Sequence, residues 1–487
     1  MTNETAYEMF SSCGMYKHTE FMTQLRAGIA TVDITPPVGI AHGNWGAQTH
    51  ERAAGVDLSL RTTVLALGGD SDSIVIADID IGNLTYKDAK RTREEISRLV
   101  DIPTSNVRLS FSHTHSGPTT RRESWIDEGS EMVEPYLESL PHLIAGAAWE
   151  AVESMEPARV AAGTGHSEIA INRRFQRPED GRMIVGRNPD GPVDYEVGVL
   201  RFDTVAGEPL AAVANYACHP ITVGPDNDLI TPDYPGVVRQ TVEESTGATC
   251  LFLQGAAGDV GPIHGVAKNG IDEYRPLGRR LGSEVARVWW SLDPRGREER
   301  YVETLESGAP LAVYEYDENV PNRSIIVLSR EIELPIRDLM SFNEAKDRYE
   351  DHRKHLQQLR KEDADNESIT NATFRAKRAK QDEKIAGQFG GKETHPIEVQ
   401  IIVLSPNVAV VGIPGEPFVE TGKAIKQKSP FEYTLFSGYS NVSRVAYIPT
   451  AKAHEEGGYE TRVTPFAPEA ADKIVDEVVA DLETLQN

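Results

Sequence analysis

Cysteine is scarce in this chain: Cys13, Cys218 and Cys250 are the only three in 487 residues. An odd number without C-x-x-C spacing argues against a disulfide framework or a thiolate zinc cluster and suits a reducing compartment. Long apolar runs are missing too. No stretch of about 18 apolar residues is present to span a bilayer, and the opening MTNETAYEMFSSCGMYKHTEF has no basic segment followed by an apolar one. The expectation is a cytoplasmic protein without stable membrane association. Basic charge is outweighed, 75 acidic side chains against 50 basic ones, for a formal charge of -25. That balance repels phosphate backbones and anionic headgroups, so nucleic acid is not expected as a partner.

What is present suffices for a large core, since 39% of the residues are hydrophobic. Residues 1–25 read as an N-terminal arm and residues 26–487 as one domain. GIATVDITPP reads as a strand stopped at Pro36 and Pro37, SDSIVIADIDIG as a buried strand, and YKDAKRTREEISRLV as an amphipathic helix. GVLRF, LAAVANYACHP and TCLFLQGAAG read as further strands, and PIEVQIIVLSPNVAVVGIPG as a hairpin turning at Pro406-Asn407. The class is α/β, a mixed β-sheet core flanked by helices. From about 338 to 390 the composition turns to Lys, Glu, Gln, Arg and Asp with helical patterning, a charged helical insertion. Such an insertion covers a site, meets a second subunit in a homo-oligomer, or is simply solvated.

Several polar residues stand where strands end. In NVRLSFSHTHSGP, residues Val107, Leu109, Phe111, His113 and His115 alternate, which puts both imidazoles on one face of a strand. His219 ends an apolar strand in NYACHPITVG, just before a proline that cannot join a ladder. Glu416 follows a Pro-Gly turn in VGIPGEPFVETG, at an expected helix start where a carboxylate also serves as an ordinary cap. The small residues of QGAAGDVGP, with Asp259 among them, suit close approach of backbone to a ligand or another strand. His42 with Asp78 or Asp80 is a candidate second metal site. The other histidines read as surface or structural groups.

Taken in order, SFSHTHSGP, INRR, ANYACHP, LITPDYPG, QGAAGDVGP, PGEPFVETG and the AYIPT to GGYE segment resemble the neutral, non-lysosomal ceramidases over roughly residues 26–480. The resemblance implies one zinc ion per chain, held by His113, His219, Glu416 and Tyr447. It implies catalytic roles for His115, Arg173 and Tyr459, with Tyr459 twelve residues after Tyr447 as in the family. On that reading metal-activated water cleaves an amide, His115 relays a proton, and Tyr459 and Arg173 stabilise the oxyanion.

The sequence also departs from the family. Gly261 stands where the ceramidases carry a serine after their GDV motif, so a covalent serine route through that position is closed. The immunoglobulin-like C-terminal domain of secreted ceramidases has no counterpart before Asn487, and the segment from Ser440 to Ala446 is one residue longer than usual. These departures favour a small soluble N-acyl compound over membrane-embedded ceramide. An ester, lactone or carbamate is open to the same chemistry, and a non-catalytic metal-binding protein or a β/α-barrel metallohydrolase are the competing classes.

Overall fold

The computed structural model describes residues 25–486 except 44, 47, 49, 70–71, 123–125, 266–269, 318–324 and 442–446. The expected N-terminal arm therefore lies outside the described residues but for Leu25, as does most of the Ser440 to Ala446 segment.

Alternation builds the centre of the molecule. In the strand Ser73–Ile79, Val75, Ala77 and Ile79 enter a cluster with Leu109, Leu137 and Ile144, while Ile74 and Ile76 enter another with Leu65, Leu253 and Ile402. A strand apolar on both faces needs cover on both, and the chain supplies it in layers. The main sheet has eight strands in the order Thr249–Gln254, Pro209–Tyr216, Glu196–Thr204, Glu156–His166, Arg26–Asp33, Arg61–Gly68, Ser73–Ile79 and Val107–Phe111. Helices Tyr86–Val100, Val133–Glu153, Tyr234–Thr246 and Gly270–Ser291 cover one face. The other face packs on a second sheet of Ile326–Pro335, Thr394–Ser405, Val408–Gly412 and Tyr433–Ser437. Helices Val419–Lys428 and Ala470–Gln486 close the far side of that sheet.

Both sheets are mixed, as the sequence leads one to expect, and the main sheet is open rather than a closed barrel. Three of the parallel pairs are strand–helix–strand units. Ser73–Ile79 pairs with Val107–Phe111, Pro209–Tyr216 with Thr249–Gln254, and Val408–Gly412 with Tyr433–Ser437, each across an intervening helix. Loops leaving the carboxyl ends of such strands are the usual position of a site in α/β sheets. His113, His219 and Glu416 all follow the carboxyl ends of these strands, Glu416 in a short strand of its own. The two sheets meet there directly, since Phe111 N–H donates to the Tyr439 carbonyl at 3.2 Å and Leu109 N–H to the Asn441 side chain at 3.0 Å.

Polar contacts also tie the layers. Arg239 on the helix Tyr234–Thr246 pairs with Asp78 at 2.8 Å and with Asp80, and all three are buried. Asp78 further accepts Phe252 N–H at 2.8 Å, and Asp80 accepts Arg61 N–H at 3.1 Å.

The charged segment folds as two helices, Phe342–Lys361 and Asn366–Phe389, set between the paired strands Ile326–Pro335 and Thr394–Ser405. Ser341 and Glu344 form a capping box at the first, and Asp365 accepts Ser368 N–H at 2.8 Å at the second. Among the described residues no helix is long and apolar enough to cross a membrane.

Candidate metal centre

The sequence alternation that predicts a strand through His115 fails four residues early. The strand ends at Phe111, Ser112 and His113 donate their N–H groups to the Ile79 and Ile81 carbonyls, and His113 takes φ +66°. That left-handed conformation is uncommon outside glycine and is held here by the chain crossing beside it. His113 Nδ1 donates to the Gly82 carbonyl at 2.5 Å. His219 Nδ1 donates to the Ala257 carbonyl at 3.1 Å. Each carbonyl fixes its ring's tautomer and leaves Nε2 with a lone pair, the usual arrangement behind metal-ligating imidazoles.

Glu416 is not a helix cap, contrary to the expectation from sequence. It lies in the short strand Glu416–Pro417, in register with Tyr447 of the parallel strand Tyr447–Ile448. The helix starts at Val419, and its first N–H is accepted by Asp259 Oδ1 at 2.8 Å. The small residues before Asp259 allow this approach. A Cβ on Gly258 would stand 2.4 Å from the Glu416 carbonyl oxygen, and Gly258 N–H donates to the Pro417 carbonyl at 2.9 Å.

The functional atoms now converge. His115 Nε2 is 3.0 Å from His219 Nε2, and Glu416 Oε2 is 3.7 Å from His113 Nε2 and 3.9 Å from His219 Nε2. The three imidazoles offer ring nitrogens within 4.8 Å of one another. Burial lowers the basicity of His113 and His219, and Arg173 nearby lowers it further. Two neutral lone pairs thus face a carboxylate oxygen, Glu416 Oε2, that is buried and has no hydrogen-bond donor among the described residues. Such a group is electrostatically unsatisfied, and a cation among these atoms would satisfy it. The nitrogen and oxygen donors suit zinc, and the residues present fit it.

Tyr447 and Arg173 border the same point. Arg173 is buried, and donates from Nη2 to the Tyr447 hydroxyl at 3.0 Å and from Nε to Glu460 at 3.2 Å. Burial alone would lower the Arg173 pKa, but Tyr447, Glu460 and Glu416 outweigh it and hold the guanidinium charged. Burial, with Glu416 adding to it, raises the Tyr447 phenol well above its ordinary value, and Arg173 opposes that rise only in part.

Comparison with known proteins agrees with this picture. The sequence profile of the N-terminal region of neutral/alkaline non-lysosomal ceramidases matches residues 25–266. The neutral ceramidase of Pseudomonas aeruginosa is 24% identical over 303 residues, 56% of this chain and 44% of that protein. Neutral ceramidase B of Dictyostelium discoideum is 27% identical over 174 residues, 32% of this chain and 24% of that protein. The crystal structure of the Pseudomonas aeruginosa neutral ceramidase superposes with a TM-score of 0.66 and 18% identity, covering 95% of this chain and 75% of that one. The chain belongs to the neutral/alkaline ceramidase family as a divergent member. The aligned segments span less than half the length of these two curated relatives.

In this family member a cavity of about 700 Å³ opens over the centre, lined by His115, Arg173, His219, Tyr447 and Tyr459 among others. The Tyr459 ring stands 5.6 Å from that of Tyr447. The Trp45 ring packs 5.0 Å from His115. Gly261 lies on the strand Val260–Pro262 opposite Ile171. Two participants, Tyr439 and Glu460, escape a reading of the sequence, and Asp259, marked there only by its small neighbours, proves to be an ordering residue. Tyr439 places its ring 4.4 Å from His113, Glu460 holds both Arg173 and Arg174, and Asp259 orders Asn172 at 3.0 Å as well as the helix start. Glu460 directly follows Tyr459, but nothing local marks it, because its partners lie almost three hundred residues earlier.

The candidate second metal site is corrected. Asp78 and Asp80 are taken up by Arg239, and His42 instead meets His50, Nδ1 to Nε2, at 2.8 Å. Burial, aided by His50, depresses His42 to about 4. An unfolded histidine titrates near 6.5, so between those values the unfolded chain binds a proton that the native state does not, and stability rises with pH. The contribution, about 3 kcal/mol, is present above about pH 6.5 and is lost as pH falls through about 4. The urea midpoint is therefore expected to fall over that window, with a shallower slope in His42→Gln. An identical slope in the variant would remove His42 from the acid response.

Proposed function

We propose that this chain is a zinc-dependent hydrolase that cleaves the amide bond of a small N-acyl compound. The reading rests chiefly on the buried Glu416 oxygen without a donor, set against the lone pairs of His113 and His219. The relatives' names as neutral ceramidases support an amide as the scissile bond. Zinc bound by His113, His219, Glu416 and Tyr447 would supply Lewis acidity to water and to a carbonyl oxygen.

The chain's own groups divide the remaining work. His115 stands beside the metal-facing nitrogen of His219 and opens onto the cavity, where it takes a proton from attacking water and returns it to the leaving amine. Tyr459 donates its hydroxyl to the carbonyl oxygen as negative charge develops there. Arg173, named by the resemblance as a second oxyanion donor, already spends two donor groups on Tyr447 and Glu460, so it acts mainly by fixing Tyr447.

Tyr459→Phe is expected to lower kcat roughly a hundredfold with KM little changed, since one oxyanion donor is worth about 3 kcal/mol. Assay of the zinc-loaded variant on an N-acyl amide checks this, and near-normal turnover would take Tyr459 out of the mechanism. Chelation should abolish activity and zinc restore it, whereas full activity without metal would refute the reading.

A further inference from the structure

The wall of the cavity opposite the metal centre is a helix whose charge runs against that of the whole chain. On Asn366–Phe389, residues Phe374, Lys377, Arg378, Gln381 and Lys384 recur at spacings of three and four and so share one face, and that face lines the cavity. Arg121 and Arg462 add to it from other segments, and Glu51 is the single carboxylate among the described lining residues. Acidic side chains outnumber basic ones 75 to 50 in the sequence, so a cationic lining is not what composition supplies at random.

Part of this charge is already neutralised. Lys380 pairs with Glu383 at 2.6 Å, and Arg462 pairs with Asp382 at 3.2 Å. Arg121, Lys377 and Arg378 form no ion pair among the described residues. Lys377 is half-buried, and burial lowers its pKa against the opposing pull of Glu51. The Arg121 charge reaches far enough to act on His113. Lys377 is partly desolvated, Arg121 and Arg378 are exposed without a counter-ion among the described residues, and a cleft lined by one sign of charge concentrates an anion. Phe374, Trp45 and Val185 leave apolar surface in the same cavity for an acyl chain.

We infer that the substrate is an anionic N-acyl amide, with a carboxylate on its amine portion received by Lys377, Arg378 and Arg121. The inference rests on the amidohydrolase reading and adds the substrate class to it. Ceramide, which is uncharged, would leave these cations unmet.

The test compares an N-acylglycine with the N-acylglycinamide of the same chain length, near-isosteres that differ in charge, together with ceramide, on the zinc-loaded full chain. The acid is expected to show kcat/KM roughly tenfold above the amide. In Lys377→Gln/Arg378→Gln that ratio should fall toward one, through a higher KM for the acid, and salt should lower it similarly. Equal use of the two substrates, preference for the uncharged one, or a ratio unaffected by the double substitution would overturn the inference. Cleavage of the glycinamide or ceramide alone would do so while sparing the amidohydrolase reading. Cleavage of none of the three would remove that reading and this inference together.

Discussion

His219→Ala is expected to lower zinc affinity by about two to three orders of magnitude, with turnover at sub-saturating zinc falling in parallel. A four-ligand zinc site supplies about 10–16 kcal/mol in all, or roughly 2.5–4 kcal/mol per donor. Since about 1.4 kcal/mol is tenfold, losing one donor is worth the stated range. His219 is the sharpest choice because its side chain is wholly buried and its Nδ1 is already committed to the Ala257 carbonyl, so that Nε2, beside His115 Nε2 and Glu416, is the atom proposed to meet the metal. Thermal unfolding with and without zinc separates metal loss from misfolding. Zinc at a hundredfold excess over its Kd stabilises the native state by about 2.7 kcal/mol, and that increment should vanish in the variant while cooperative unfolding persists. A variant that unfolds cooperatively and is still raised by zinc as the parent is would exclude His219 as a ligand.

Arg239→Met is expected to destabilise the fold by about 3–5 kcal/mol at pH 8. The methionine fills most of the space but leaves two buried carboxylates, Asp78 and Asp80, without a counter-charge. Burial already raises the Asp78 pKa despite Arg239 beside it, and without the guanidinium it rises further. A carboxyl group raised in the native state favours the protonated form, so its contribution is present at low pH and lost as pH rises through the folded pKa. The deficit of the variant should therefore shrink on going from pH 8 to about pH 5. Urea unfolding at both values checks this, and a small or pH-independent loss would show that the triad does not hold the sheet to its helix.

The strands and helices were legible because their patterns are local. Ser73–Ile79 alternates, Tyr86–Val100 repeats at helical spacing, and the Pro406-Asn407 turn is written in two residues. Strand ends carrying His113, His219 and Glu416 were legible for the same reason, and the order of motifs tied them together across three hundred residues. What failed was set by distant partners. The turn at His113 is imposed by the Ile81 and Gly82 carbonyls, and Glu416 is drawn out of a helix start by pairing with Tyr447. His42 went to His50 because Arg239, from a helix far along the chain, had already claimed the aspartates. The charged helices were visible as amphipathic patterns, but a pattern identifies a face and not its neighbour. That the basic face of Asn366–Phe389 overlooks the candidate metal centre is set by the assembly of the sheets.

Anomalous diffraction at the zinc edge, from crystals of the zinc-loaded protein, most directly tests whether one ion draws these side chains together. A single strong peak bounded by the Nε2 atoms of His113 and His219, a Glu416 oxygen and the Tyr447 hydroxyl is the predicted result. A peak beside His42 and His50 instead, or no peak between the two sheets' loops, would contradict it.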